Sequence, residues 1–188
     1  MGNIHNIYLI KALEAYPWEL EKAVEALNYA LSYEPDNATA LVLMAKIHAE
    51  YLGDYEVAKE LFEKALISDL NNPKIYPEYI TVLVHAEDFK EATRLIEYAM
   101  TVKGVDRAVI KLLHGHVLEA TLEFEKAEEA IKEAMSLALN NGFIEHAELE
   151  LNRVRKKRER AKRQTKIEEK SVEETKNTGW LHRLNGLL

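Results

Sequence analysis

Apolar and polar positions along this chain follow a helical period, and the pattern then repeats at longer range. Four segments, LEKAVEALNYAL, YEVAKELFEKAL, FKEATRLIEYAM and FEKAEEAIKEAM, align without gaps. Their first shared alanines are Ala23, Ala58, Ala92 and Ala127, spaced 35, 34 and 35 residues apart. Leu27, Phe62, Ile96 and Ile131 keep that spacing, as do Ala30, Ala65, Ala99 and Ala134. Small residues a helical face apart let a neighbouring helix come close, and the bulky residue between them fills the groove. Upstream of three of these segments lies a second stretch: Leu41, Met44, Ala45 and His48; Tyr76, Tyr79, Ile80 and Leu83; Lys111, His114, Gly115 and Leu118. Their i, i+3, i+4, i+7 spacing predicts one face of a helix. Turn chemistry separates the stretches, as GDY at 53–55, EDF at 87–89, EPDN at 34–37, NNP at 71–73 and VKG at 102–104. Pro35 and Pro73 cannot continue a helix interior, and Gly104 can take the left-handed conformation that closes one. A period near 34 predicts stacked helical hairpins.

These residues resemble the tetratricopeptide-repeat family, whose first helix carries a large apolar residue, a Leu, a small residue and an aromatic, and whose second carries Ala, a bulky residue and Ala. The second repeat matches best, through Leu41, Met44, Ala45, Gly53, Asp54, Tyr55, Ala58, Phe62 and Ala65, with one extra residue near Tyr51–Gly53 that is expected to enlarge that loop. In the third, Ile80 replaces the small residue; in the fourth, Lys111 and His114 replace apolar ones. The first repeat fits by its second helix only. The resemblance implies an all-α, right-handed solenoid of about four hairpins, with repeats at about 4–37, 38–72, 73–106 and 108–141 inside an array of residues 1–142. Phe143, Ala147, Leu151 and Val154 form a stripe that predicts a capping helix, taken as residues 143–170, with a tail at 171–188.

The resemblance also implies a binding face. Similar arrays hold peptides on a concave surface lined by the first helices, which maps here to Tyr8 and Ala12, then Val42, Lys46 and Ala49, then Thr81 and Val84, then Leu112, His116 and Glu119. The subclass that clamps a C-terminal carboxylate uses paired Asn and Lys, of which only Lys46 is present. The mixed-to-apolar lining instead suits an amphipathic helix or peptide.

Charge changes the picture at the C-terminal end. Residues 1–150 carry 13 basic and 27 acidic side chains, whereas 151–188 carry 12 basic and 5 acidic. The basic residues concentrate at Arg153, Arg155, Lys156, Lys157, Arg158, Arg160, Lys162, Arg163 and Lys166. Because the apolar stripe ends at Val154, this run reads first as a helix continuing into water. It also suits docking on an acidic protein surface, another copy's body included. A nucleic-acid or anionic-surface role is the alternative, disfavoured because no aromatic lies between Phe143 and Trp180 to stack a base. The tail then turns apolar: Trp180, Leu181, Leu184, Leu187 and Leu188 share one helical face. Ser171 and Glu174 could open a short helix there, with Gly179 as punctuation. That segment is expected to fold back on its own repeats, to dock on a partner or another copy, or to lie on a membrane surface.

Candidate chemistry adds little. There is no cysteine, which fits a reducing, cytoplasmic setting. The N-terminus lacks a basic start and an apolar core, so no signal peptide is expected, and no run is long enough to span a membrane. MGNIHN has Asn6 where a myristoylation pattern needs Ser or Thr. His114 and His116 are two apart and point to different sides of a helix, so they cannot chelate together. No catalytic residues, metal site or cofactor are assigned. The expectation is a non-enzymatic interaction adaptor with a protein or peptide partner and the capacity to self-associate through the tail.

Overall fold

The computed structural model describes the backbone of residues 7–185 and the side chains of residues 7–168. Among the described residues the chain is all-helical. Four antiparallel hairpins, α1 (Ile7–Ala15) with α2 (Leu20–Tyr33), α3 (Ala38–Ile47) with α4 (Tyr55–Ser68), α5 (Ile75–His85) with α6 (Phe89–Ala99), and α7 (Arg107–Ala120) with α8 (Phe124–Leu137), stack as a right-handed α-solenoid. A last helix, α9 (Asn141–Asn185), covers the end of the stack.

The repeat period is realised as burial. Ala23, Ala58, Ala92, Ala127, Ala30, Ala65, Ala99 and Ala134 are fully inaccessible, as are Leu27, Phe62 and Ile131 between them, with Ile96 nearly so. Each second helix presents a small–bulky–small face to the first helices on either side. No hairpin could bury that face alone, so neighbours must stack. The core is accordingly a chain of overlapping clusters along the array: one over α1–α3, a large one centred on α3–α7, and one joining α7, α8 and α9. In the middle cluster Phe62 stacks on Tyr79 with ring centroids 5.0 Å apart. Truncating a buried Phe of this kind typically costs about 3–5 kcal/mol.

Local chemistry sets the boundaries. Asn37 caps α3 by accepting from the Ala40 amide at 3.0 Å, and Asp54 caps α4 by accepting from Val57 at 3.3 Å. Asp106 caps α7 through the Ala108 and Val109 amides. Gly104 has φ +87°, as a left-handed turn before α7 requires. Gly53, Glu87 and Leu122 all have positive φ at equivalent points, each ending a first helix just before an acidic residue and an aromatic.

Two repeats depart from the common hairpin length by one residue each, in opposite directions. The small residue of each first helix is Ala12, Ala45 and Gly115, with Ile80 in the third, and it stands 11, 13, 12 and 12 residues before the matching alanine of the second helix. The extra residue of the second repeat does not enlarge the loop. It is absorbed within the helix as a π-helical turn, His48–Leu52, closed by Gly53 at φ +66°. A π turn accommodates one residue without breaking the hydrogen-bond ladder, whereas a longer loop would expose unpaired backbone. The first repeat is one residue short in its connection, which explains why its register is obscure in the sequence.

The small position matters most at Gly115. A Cβ built there would meet Ile131 Cγ1 at 2.7 Å and the Ala127 carbonyl at 3.4 Å. Gly115 therefore lets α7 approach α8 more closely than Ile80 lets α5 approach α6. Ala at position 115 gains helix propensity of about 1 kcal/mol but forces the core isoleucine to move, a change that typically costs about 1–3 kcal/mol. Gly115→Ala should lower stability in urea unfolding, and should cost less in a chain carrying Ile131→Ala, which lacks Cγ1. A rise in stability for the single variant would show that α7 and α8 are not in this close contact.

Candidate functional site

The face lined by the first helices is assembled by contacts that bridge one repeat to the next. Tyr16 Oη donates to Glu50 at 2.8 Å, Lys46 bonds Glu78 at 3.0 Å, and His116 bonds Glu150 at 3.0 Å. Two of these pairs are separated by 34 residues and one by 32, so the sequence period reappears as spatial neighbours. The charged and polar groups on this face are largely neutralised within the chain.

The residues assigned to the face from sequence do not share one environment. Val42, Thr81 and Val84 are half-buried on α3 and α5, with Lys46 beside them held by Glu78. Ala49 and Leu112 are buried. His116 and Glu119 lie under α9: Glu150 takes the former, and Arg153 reaches Glu119 at 2.6 Å while Lys157 reaches it at 2.8 Å. Tyr8 turns to its own hairpin, stacking on Tyr29 and Tyr33 with centroids 5.1 and 5.7 Å away. Ala12 is fully buried at the α1–α2 contact. Once Ala12 is seen to be the small residue of α1, the positions equivalent to Val42, Lys46 and Ala49 are Leu9, Leu13 and Tyr16, and Pro77 joins them on α5. Sequence reasoning missed Leu9, Leu13 and Tyr16 because the short first hairpin shifts α1 in register, whereas Pro77 is in register with Thr81 and Val84 and was passed over. Aligning Ala12 with Ala45 would have found them.

The exposed surface of this face is therefore asymmetric. From α1 to α5 it offers Leu9, Leu13, Val42, Pro77, Thr81 and Val84, none of them charged. From α7 to α9 it is an ionic network closed by the last helix.

That network is the second feature of the site. Sequence reasoning sends the basic run into water after Val154; the structure instead docks its first half. Glu119 and Glu128 are almost fully buried, at 6% and 5% exposure. Arg153 and Lys157 converge on Glu119, while Arg158 lies 2.7 Å and Arg155 3.4 Å from Glu128. Lys162 meets Glu125 at 3.1 Å. Carboxylates on α7 and α8 thus continue the seam that Ala147, Leu151 and Val154 begin. The helix does not stop at Ser171 or Gly179 but runs on to Asn185, 45 residues in all. Helix propagation through Lys, Arg, Glu and Gln is favourable once begun, and one internal Gly at about 1 kcal/mol does not end it. The side chains of Trp180, Leu181 and Leu184, and Leu187 and Leu188 altogether, lie outside the described residues.

The outer face of α9 explains why the array ends. The positions matching Lys111, His114, Gly115 and Leu118 one repeat later are Glu145, Glu148, Leu149 and Asn152, and all four are exposed. A fifth hairpin would need small and apolar residues there. Lys111 and His114, poor matches to the family pattern, are accommodated in the fourth repeat because Lys111 pairs with Glu133 of α8 and His114 is half-buried. Among the described residues there is no metal-ligating cluster, and no helix is long and apolar enough to cross a membrane. Two surface clefts occur elsewhere, one of about 410 Å³ between α1 and α2 and one of about 680 Å³ where α9 passes Leu122 and Phe124.

Two outcomes follow for the α9 seam. Replacing both Arg155 and Arg158 by Ala strands the buried Glu128 carboxylate, and breaking a buried pair from one side typically costs about 3–5 kcal/mol. Chemical unfolding should show a loss of that size, against well under 1 kcal/mol for Lys156→Ala on the open face. The seam is also pH-dependent. Burial holds the His116 imidazole below its ordinary value of 6.5, with Arg153 adding to the effect and Glu150 opposing it. The unfolded chain then binds more protons just below pH 6.5, so stability is intact above that pH and falls as the pH drops through the folded value. His114, lowered chiefly by burial, contributes with the same sign. The melting temperature should fall between pH 7.5 and 5.5, and His116→Gln should make that decline shallower; equal slopes would remove His116 from the account.

No family model matches the chain, and no curated protein matches it. Solved structures do. PilF of Pseudomonas aeruginosa superposes with a TM-score of 0.68 at 22% identity, over 82% of this chain and 69% of that one. A MamA fragment from Desulfovibrio magneticus RS-1 superposes with a TM-score of 0.62 at 21% identity, over 86% and 98%. A further MamA crystal structure gives 0.60 at 17% identity, over 84% and 93%. PilF and MamA are both tetratricopeptide-repeat proteins. With the 34-residue period, the buried alanine pairs and these superpositions together, the chain has the tetratricopeptide-repeat fold.

Proposed function

We propose that this chain is a non-enzymatic interaction adaptor that holds an amphipathic peptide or helix against the face formed by α1, α3 and α5. The observation that carries this reading is the division of that face. Leu13, Val42, Thr81 and Val84 on that face are uncharged, and the charged groups beside them are bonded within the chain, Lys46 to Glu78 and Glu50 to Tyr16. An apolar stripe on a partner helix would bury against it without stranding a charge. Leu112, His116 and Glu119 mark the closed end, where α9 sits. Among solved structures of like fold are the two tetratricopeptide-repeat proteins named above, which supports an adaptor.

The Trp180–Leu188 segment is a second docking element in this reading. Trp180 lies 18 residues past Lys162, which pairs with Glu125 of α8, a distance of about 27 Å along a helix. A helix that runs that far beyond the Lys162 contact suits a partner or another copy. A nucleic-acid role for the basic run has less in its favour, since Arg153, Arg155, Lys157, Arg158 and Lys162 are engaged by carboxylates.

The test is to pan a displayed library of random peptides on the full chain and to titrate the selected peptides by fluorescence anisotropy. Selected peptides should carry apolar residues at i, i+3 or i+4 and i+7. Val84→Glu and Leu13→Glu, which place a charge in the apolar half, should each weaken binding about tenfold or more, equivalent to about 1.4 kcal/mol. Lys156→Glu, outside the face, should not. Selected peptides that bind both face variants as tightly as the parent chain would reject this surface.

A further inference from the structure

Nine basic residues lie between Arg153 and Lys166, and the α9 seam uses five. Lys156, Arg160, Arg163 and Lys166 are exposed and form no ion pair among the described residues. Their placement is regular. Lys156, Arg160 and Arg163 stand at i, i+4 and i+7, a single helical face pointing away from Val154 and Arg158, and Ile167 follows at i+11, 68% exposed.

The outer face of α4 carries the opposite pattern at the same spacing. Glu56, Glu60 and Glu63 stand at i, i+4 and i+7, all exposed, and Ile67 follows at i+11, 85% exposed. Glu56 shares one oxygen with Lys59 of its own helix at 2.8 Å. Laid side by side in parallel, the two helices set each glutamate beside a cation and one bare isoleucine against the other, in one register. Isoleucines this exposed are the residues that such a contact would remove from water. The two rows cannot meet within one chain, because α9 is fixed against α7 and α8 while α4 belongs to the second hairpin. The inner face of α9 already joins acidic helices in the same way, with Arg155, Arg158 and Lys162 meeting Glu128 and Glu125.

We propose that α9 of one copy docks on α4 of a second copy, Lys156, Arg160 and Arg163 against Glu56, Glu60 and Glu63, with Ile167 on Ile67. The contact joins two different surfaces, so after one contact each copy keeps its other surface free and association proceeds head to tail. It uses neither the peptide-binding face nor Trp180–Leu188, and it stands or falls separately from the adaptor reading. Exposed pairs are individually weak and are screened by salt, so the association is weak and dependent on ionic strength.

Sedimentation velocity on the full chain tests this from about 10 µM to about 1 mM. At about 0.05 M salt the average mass should rise with concentration, and at about 0.5 M it should return to the monomer. Reversing one row, as Lys156→Glu, Arg160→Glu and Arg163→Glu together, should leave a monomer. Reversing the other, as Glu56→Lys, Glu60→Lys and Glu63→Lys, should do the same. Mixing the two variants restores both contacts and should restore association, as should a single chain carrying all six changes. That rescue shows that the variants are folded and that charge pairing is the cause. A monomeric parent chain at low salt, a reversed row that still associates, or a mixture that stays monomeric overturns the proposal. So does association that survives charge reversal but is lost on deleting 171–188, which would assign it to the apolar tail. Loss of binding to a single-stranded RNA oligonucleotide on reversing the α9 row, with the parent chain monomeric, would assign that row to nucleic acid instead.

Discussion

The structure depends on one packing constraint: a bulky side chain set between two alanines must find a groove that its own hairpin cannot complete. Ala58, Phe62 and Ala65 are inaccessible only because α3 lies on one side and α5 on the other. Every second helix repeats the requirement, so the chain has no natural centre and grows by addition of units. Such an array leaves the first helices side by side on one face. The polar groups of that face pair across the repeat boundary, as Tyr16 with Glu50 and Lys46 with Glu78, because the stacking brings residues about one period apart into reach.

An array built this way must also end. At the C-terminal end the solution is α9, which enters as the first helix of a fifth unit and then presents Glu145, Glu148 and Asn152 where the next hairpin would have to pack. Its inner side changes character along its length. Ala147, Leu151 and Val154 seal the core by apolar contact, and beyond them the seal is ionic, through Glu119, Glu128 and Glu125. Burying two carboxylates is costly unless cations satisfy them. Each of Glu119 and Glu128 therefore receives two. Charge thus holds the last helix where alanine packing holds the hairpins, and the buried His116 beside Glu150 and Arg153 adds a dependence on pH. The arrangement also sorts the basic run into cations consumed by the fold and cations left facing outward.

The fold was legible in the sequence because its determinants are local and repeated. The alanine and bulky positions hold one period across four units, and Asn37, Asp54, Asp106, Gly53 and Gly104 mark boundaries by their own chemistry. The candidate site was only partly legible. Val42, Thr81 and Val84 follow from the repeat register, but Leu9, Leu13 and Tyr16 do not, since the first hairpin is one residue short and α1 slips relative to the others. The extra residue of the second repeat was visible, yet its absorption into a π turn at His48–Leu52 depends on neighbouring helices holding both ends of the segment.

What the sequence determined by itself is the class of object: a linear stack of helical hairpins, acidic along its body and basic near its end. Periodicity and side-chain volume are enough for that, because each unit interacts only with its neighbours. What only the tertiary structure decided is where the charges go. Glu119 and Glu128 look like any other helix-face glutamates, and Arg155 and Arg158 like any other solvated cations, until α7, α8 and α9 are brought together. Electrostatic pairing between helices depends on distances that no local pattern encodes. For that reason the same basic run divides into a buried clamp and an open row only when the chain is folded.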